Sequence, residues 1–346
     1  MLPVRFRHVL LLVIMLLLVG CGGNETPPAG EEPTALPLPT ATILSLGDLE
    51  QTIAAPATEP PPAGTPPLAI TTTTPEPTTT PEPTPTPEPA ATPGPPAING
   101  IPPEQFVVIP PEVAANIRTI YAQGQALGRS PNYFSKLGDS TTLNPNLLGR
   151  FDDPELNLGD YAFLQPTVDQ YAGAFAQIGV AAHLGLHSWS VFDPLWADKE
   201  WCNNNETVLE CEFRLNNPSV LIVRLGSNDS GFPEGFDFNM RKVVQYAIDN
   251  GVIPIVATKA DRFEGEDNIN NILLRQIAAD LQVPLWDFDL VAATLPGRGL
   301  NTDLIHMIDY PPNDFRDPAI FQSGHAMQDL SGLMVLDAIR QILSGE

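Results

Sequence analysis

A proline-rich run divides the chain and limits how much of it can fold. Residues 22–100 hold 21 of the 39 prolines and nine acidic residues, but no lysine or arginine. Such a composition has too little apolar surface to offset its conformational entropy, and proline favours extended polyproline geometry. We therefore predict that residues 22–100 form a disordered, stiff linker that reaches on the order of 100 Å. A proline-rich docking ligand is the alternative interpretation of the same residues.

The first 21 residues have the pattern of a secretion signal. Arg5 and Arg7 precede an apolar run over residues 9–19, which is too short to span a bilayer but typical of a signal peptide. The sequence Leu-Val-Gly-Cys that ends at Cys21 resembles the lipobox of bacterial lipoproteins. That resemblance implies cleavage before Cys21, lipidation of its sulfur and a lipid anchor on the outer face of the bacterial cell membrane. An ordinary signal peptide or a short uncleaved anchor is the alternative.

Residues 101–346 have the length of one ordinary domain. They keep 32 of the 41 acidic and 15 of the 17 basic side chains, which gives a formal net charge of −17. So acidic a surface repels the phosphate backbone of DNA and RNA, which makes nucleic acid an unfavourable partner. The charge does not identify a substrate, and nothing in the sequence indicates the oligomeric state.

Two of the three cysteines, Cys202 and Cys211, lie nine residues apart in a polar segment. Outside the cytoplasm, a local disulfide is the expected state of such a pair. A zinc site would need further ligands, and this segment contains no histidine. We predict a disulfide and no metal.

Apolar runs alternate with amphipathic segments along this domain. Strands are predicted near residues 133–138, 219–225, 252–257 and 283–288, after a short apolar segment at 106–109. Helical spacing follows Pro111 and recurs near residues 169–187, 234–250, 268–281 and 327–343. The alternation predicts an α/β fold, a three-layer α/β/α sandwich around a mostly parallel sheet of about five strands. Residues 141–167 and 188–216 are predicted loops.

Polar residues follow two of the strands, and another pair lies near the C-terminus. Gly138-Asp139-Ser140 ends the first strand, where Ser140 is either a nucleophile or part of a helix cap. Asn228 follows the second strand and could donate to a developing negative charge or form an Asx-turn. In Asp303-Leu-Ile-His306, the carboxylate could hold the imidazole as a catalytic base, although such a pair is often only a turn.

In this order, the three pieces resemble the SGNH hydrolases, also called GDSL esterases and lipases. The resemblance covers roughly residues 130–345 and implies a Ser140-His306-Asp303 triad. It also implies an oxyanion hole formed by the Ser140 N–H, the Asn228 amide and the N–H of an intervening glycine, for which Gly173 is our candidate. The leucine that usually follows Gly-Asp-Ser is Thr141 here. No metal or organic cofactor is needed by this mechanism.

Other histidines compete for a role. His325 is an alternative base, but Gln322 rather than an aspartate stands three residues before it, so we prefer His306. His183 and His187 are one turn apart in the predicted helix 169–187, where a metal pair is conceivable. No carboxylate pattern supports a metal there, and a surface or half-buried helix face is the preferred interpretation.

The sequence thus predicts an extracytoplasmic serine esterase or acyl hydrolase that cleaves a carboxylic ester of a small molecule or a polysaccharide, with polysaccharide deacetylation as one candidate reaction. Two other functions stay open: a non-catalytic binding or scaffold protein on the same fold, and an acyltransferase. Trp189, Trp196 and Trp201 are either a sugar platform or packing residues. The acyl group and the alcohol are not encoded in any readable motif.

Overall fold

The computed structural model describes residues 94–308 and 311–345. The predicted signal sequence, Cys21 and nearly all of the predicted linker lie outside these residues. Ile98 is buried and exchanges two backbone hydrogen bonds with Ile101, of 3.0 and 2.8 Å. Packed structure therefore includes a few residues ahead of position 101.

A five-stranded sheet forms the centre of the domain. Its strands are β1 (Val107–Val108), β2 (Ser130–Gly138), β3 (Pro218–Arg224), β4 (Ile253–Ala257) and β5 (Leu285–Trp286). The strand order is β1-β5-β4-β3-β2, with β2 to β5 parallel and β1 antiparallel to β5. The predicted fold class is confirmed, with the short N-terminal apolar segment adding the antiparallel edge strand.

Eight α-helices surround the sheet in the described part of the chain. They are α1 (Pro103–Phe106), α2 (Pro111–Ala126), α3 (Gln165–Gln170), α4 (Val208–Asn216), α5 (Pro233–Asp249), α6 (Ile269–Asp280), α7 (Phe288–Ala292) and α8 (Gly324–Ser344). Across residues 94–308 and 311–345, none of the helices combines the length and the apolar character that crossing a bilayer requires.

The helices cover both faces of the sheet. Val220 and Ile222 of β3 belong to a core shared with α2 and α8, whereas Leu221 and Val223 belong to a second core shared with α5 and α6. Successive side chains of a strand point to opposite faces, so β3 is apolar throughout because both of its faces are buried. The result is the predicted three-layer sandwich.

The predicted helix at residues 169–187 is wrong. Only α3 at its start is helical, and the chain then turns through Gly173 and Gly179, whose φ angles are +85° and +76°. Beyond these turns the chain is extended beside β2: Gly138 N–H donates to Ala181 O at 3.1 Å, and His183 N–H donates to Gly138 O at 3.0 Å. This segment therefore lies beside the edge strand β2, in the plane of the sheet, and does not form a helix that covers a face of the sheet.

The predicted loop at residues 188–216 also contains a helix. Helix α4 begins with a capping box, in which Thr207 and Glu210 each accept a backbone hydrogen bond from the other. Its Cys211 is bonded to Cys202, with a sulfur–sulfur distance of 2.05 Å, so the predicted disulfide is present in the structure.

Candidate active site

Ser140 lies where β2 ends, at the carboxyl edge of the parallel strands. A Cβ atom on Gly138 would lie 2.1 Å from Thr142 Oγ1 and 2.4 Å from Arg224 O, so the strand can end here only with glycine. The next residue, Asp139, is 1% exposed, and its Oδ1 accepts from the N–H and the hydroxyl of Thr141 at 2.9 and 2.8 Å. Asp139 thus stabilises the turn that presents Ser140, and Thr141 supports that turn.

A continuous chain of hydrogen bonds joins Asp303, His306 and Ser140. Nε2 of His306 lies 2.8 Å from Ser140 Oγ, and Nδ1 lies 2.8 Å from Asp303 Oδ2. Because a carboxylate only accepts, Nδ1 carries the proton and Nε2 is left to accept from the serine hydroxyl. Ser140 and Asp303 are 163 positions apart in sequence, and the fold brings both to His306. The three side chains are arranged as a nucleophile, a base and an acid that orients the base.

The Asp303 carboxylate is held in its ionised form. The backbone N–H groups of Ile305 and His306 donate to its Oδ1, each at 3.0 Å, while the imidazole binds Oδ2. These donors lower the pKa of Asp303 to about 2. The contribution of these hydrogen bonds to the stability of the fold is therefore complete above the ordinary pKa of an aspartate, and it is lost as the pH falls through about 2. At any ordinary working pH the imidazole faces a negative charge.

The second candidate base, His325, lies elsewhere. It is buried at the start of α8, and its Nε2 lies 3.3 Å from the Asn144 amide nitrogen. The structure thus brings His306, and not His325, to the hydroxyl of Ser140. His183 and His187 are not on a helix. His183 Nε2 lies 2.7 Å from Val180 O, and the His187 ring is tilted by 38° against that of Trp189, with centres 5.8 Å apart.

Asn228 follows β3 on the same edge of the sheet as Ser140. One hydrogen of its side-chain amide is donated to Leu186 O at 3.2 Å, which fixes the plane of the amide and leaves the second hydrogen available. The preceding turn is held independently, because Ser227 Oγ donates to Asp261 Oδ2 at 2.7 Å and Asn270 Nδ2 donates to Gly226 O at 2.8 Å. The amide is therefore preorganised to donate to a ligand.

The assignment of Gly173 to the oxyanion hole is wrong. Its N–H donates to Asp152 Oδ1 at 2.7 Å, so the hydrogen is already used in capping the turn after α3. Gly185 fits better: it lies three residues beyond Ala182, which pairs with Gly138, and immediately before Leu186, whose carbonyl binds Asn228. The Gly185 N–H donates to no group among the described residues.

The sequence contained only a weak signal for Gly185. Val180, Ala181 and Ala182 form a short apolar run before it, and three residues are too few to separate a strand from a helix by spacing. The predicted helix 169–187 includes this run and Gly185, and a glycine inside a helix is a poor candidate for an oxyanion donor. The segment is extended and not helical because Glu212, 32 residues further along the chain, accepts from Val180 N–H at 2.7 Å.

Another cluster contains potential metal ligands. In the described residues it comprises Cys202, Glu206 and Cys211. Both sulfurs are used in the disulfide, and Glu206 is paired with Arg214, with a nitrogen–oxygen distance of 2.5 Å. These contacts give the cluster a structural role in holding α4 against the preceding turn.

A parallel α/β sheet that carries serine, histidine and aspartate at its carboxyl edge, with an oriented amide beside them, is equipped for nucleophilic attack on a carbonyl carbon. No family model matches the chain, and no curated protein matches it in sequence. Among solved structures, the chain is similar to a catalytic mutant of an acetylxylan esterase from Geobacillus stearothermophilus, with 14% sequence identity and a TM-score of 0.34. The match covers 59% of this chain and 93% of the other.

Proposed function

We propose that the chain is a serine ester hydrolase of the SGNH type. The observation that carries the proposal is the unbroken hydrogen-bond chain from Asp303 through His306 to Ser140. A serine hydroxyl is a weak nucleophile at its ordinary pKa, and a neutral imidazole at hydrogen-bond distance is the group that activates it. Each of the three side chains has the partner that its chemical role requires.

In the proposed reaction, Ser140 Oγ attacks the ester carbonyl carbon while its proton moves to Nε2 of His306. Asp303 stabilises the imidazolium that results. The new oxyanion accepts from the Ser140 N–H, the Gly185 N–H and the free hydrogen of the Asn228 amide. Collapse of this intermediate breaks the bond to the alcohol, which leaves with the proton from Nε2. Water then attacks the acyl-enzyme by the same route, so the acid is released and Ser140 is regenerated.

Ester turnover by purified protein tests this proposal. p-Nitrophenyl esters of increasing acyl length and acetylated glycans are offered to the wild type, to Ser140→Ala and to a control, Ser344→Ala, which removes an exposed hydroxyl at the end of α8. We expect turnover by the wild type and the control, and a loss of at least about 1,000-fold in kcat for Ser140→Ala. Absence of turnover of every ester by the wild type would favour the non-catalytic binding function.

We also propose that the domain is tethered outside the cell through a lipid on Cys21. Support comes from the basic residues, the apolar run and the lipobox-like ending of residues 1–21. A labelled fatty acid fed to expressing bacteria should be incorporated into the wild type. Cys21→Ser should remove the label and release the protein from the membrane fraction. Incorporation that persists in Cys21→Ser contradicts the anchor.

A further inference from the structure

A cavity opens beside the candidate oxyanion hole. It has a volume of about 320 Å³, and its lining includes His187, Trp189, Asn228, Asp229, Phe232 and Asn239. Its volume is at the lower end of the ~300–1,000 Å³ typical of small-molecule sites. We infer that this cavity binds the sugar ring of a carbohydrate ester, an inference that rests on the proposed function and names its substrate class.

The aromatic side chains of the cavity are open to solvent. Trp189 is 53% exposed and Phe232 is 67% exposed. The Trp189 indole is braced by the edge of Trp196, with ring centres 6.1 Å apart and planes at 87°, and by the His187 ring at 5.8 Å. A large, rigid aromatic face offers apolar contact area at little cost in side-chain entropy, which suits the C–H face of a pyranose.

Polar atoms flank these aromatic faces. The Asn239 side-chain nitrogen donates to Gly235 O at 2.7 Å, and its oxygen accepts from no group among the described residues. Asp229 adds a carboxylate, and Asn228 adds an amide. A long acyl chain would bury the Asn239 oxygen without a partner, which is costly, whereas a hydroxyl group of a sugar can donate to it. The mixture of flat apolar and polar walls therefore favours a carbohydrate.

Hydrogen bonds fix this platform relative to the reacting atoms. The N–H of Ser188 donates to both Asp229 oxygens at 3.1 Å, and its hydroxyl donates to Oδ1 at 2.7 Å. The Asn228 amide donates to Leu186 O. Trp189, which directly follows Ser188, is thus tied to the turn that carries Asn228. A sugar stacked on Trp189 would hold its ester near the oxyanion donors, and such positioning raises the rate of reaction.

The test compares two acetyl esters that differ only in the alcohol. Acetylated cellotetraose carries sugar rings, ethyl acetate carries none, and acetate release from both is followed by pH-stat titration. We expect Trp189→Ala to lower the ratio of kcat/KM for the sugar ester to that for ethyl acetate by about tenfold. Trp189→Phe should recover part of that ratio. Trp201→Ala removes another exposed tryptophan, 59% exposed and outside the cavity lining, and should leave the ratio unchanged.

If Trp189→Ala leaves this ratio unchanged, the inference is overturned. That includes the case in which kcat/KM falls equally for both esters. Should the wild type hydrolyse neither ester, the proposed function fails and the cavity is tested by binding alone. Calorimetric titration of unacetylated cellotetraose into Ser140→Ala should then give a Kd that rises about tenfold when Trp189→Ala is added. Failure of Ser140→Ala to bind cellotetraose also overturns the inference.

Discussion

Replacing Asn228 by alanine removes one proposed oxyanion donor and little else. The side chain is exposed, and its only hydrogen bond within the described residues is the one to Leu186 O. The turn itself is held by Ser227 on Asp261 and by Asn270 on Gly226, contacts that do not involve the Asn228 side chain. The variant should therefore fold as the wild type does.

The expected effect is on the transition state. Loss of one preorganised donor typically costs on the order of 100- to 1,000-fold in kcat, or about 2.7–4 kcal/mol. KM should change little, because the oxyanion exists only during reaction and the substrate carbonyl carries far less charge. Asn228→Asp, which keeps the size of the side chain but replaces the donor by an acceptor, should lose at least as much.

The assay measures kcat and KM separately on p-nitrophenyl acetate, with thermal unfolding midpoints and near-ultraviolet circular dichroism as checks on folding. A fall in kcat of less than about fivefold in a folded Asn228→Ala protein, or a change confined to KM, would refute the assignment of this amide to the oxyanion hole.

Four further predictions concern the two glycines, Asp303 and the disulfide. Gly185→Ala and Gly173→Ala each place a methyl group in open space, at φ angles of +72° and +85°, so both variants carry similar backbone strain. Only Gly185→Ala should lower kcat. Equal kcat values for the two variants would contradict the assignment of Gly185 to the oxyanion hole. Asp303→Asn should lower kcat by about 100- to 10,000-fold. Because the pKa of Asp303 is held to about 2, protonation of its carboxyl should add no step to the wild-type pH–rate profile near neutral pH, and a step there that Asp303→Asn removes would contradict this. Reducing the 202–211 disulfide should lower the free energy of unfolding, measured in urea, by about 3 kcal/mol, and an unchanged midpoint would contradict that role.

The sheet and the candidate residues Ser140, Asp303 and His306 were predictable because their signals are local. Buried parallel strands are apolar throughout, so β3 and β4 stood out in the sequence. Gly138 before Ser140, and Asp303 three residues before His306, also occur at short spacings that carry a chemical meaning. The sequence does not show that Ser140 and Asp303, 163 positions apart, belong to one chain of hydrogen bonds. Only the fold brings them together.

The region between β2 and β3 was mispredicted because distant carboxylates determine it. Asp152 accepts from the N–H groups of Gly173 and Ala176, at 2.7 and 2.8 Å, and ends the helical turn there. Glu212 accepts from Val180 N–H and Ser135 Oγ, which holds the following residues beside β2. Apolar spacing alone cannot report such contacts. Helix α4, by contrast, carried a local signal in the capping-box spacing of Thr207 and Glu210.

The central proposal is that His306 activates Ser140 as a nucleophile, and covalent labelling measures that reactivity directly. The purified domain is treated with a fluorophosphonate, and the adduct is located by intact-mass and peptide mass spectrometry. We predict one adduct, on the peptide that contains Ser140, with a labelling rate that falls sharply in His306→Ala and is unaffected in His325→Ala. No adduct on the wild type, or an adduct on another serine at the same rate in His306→Ala, would contradict the proposal.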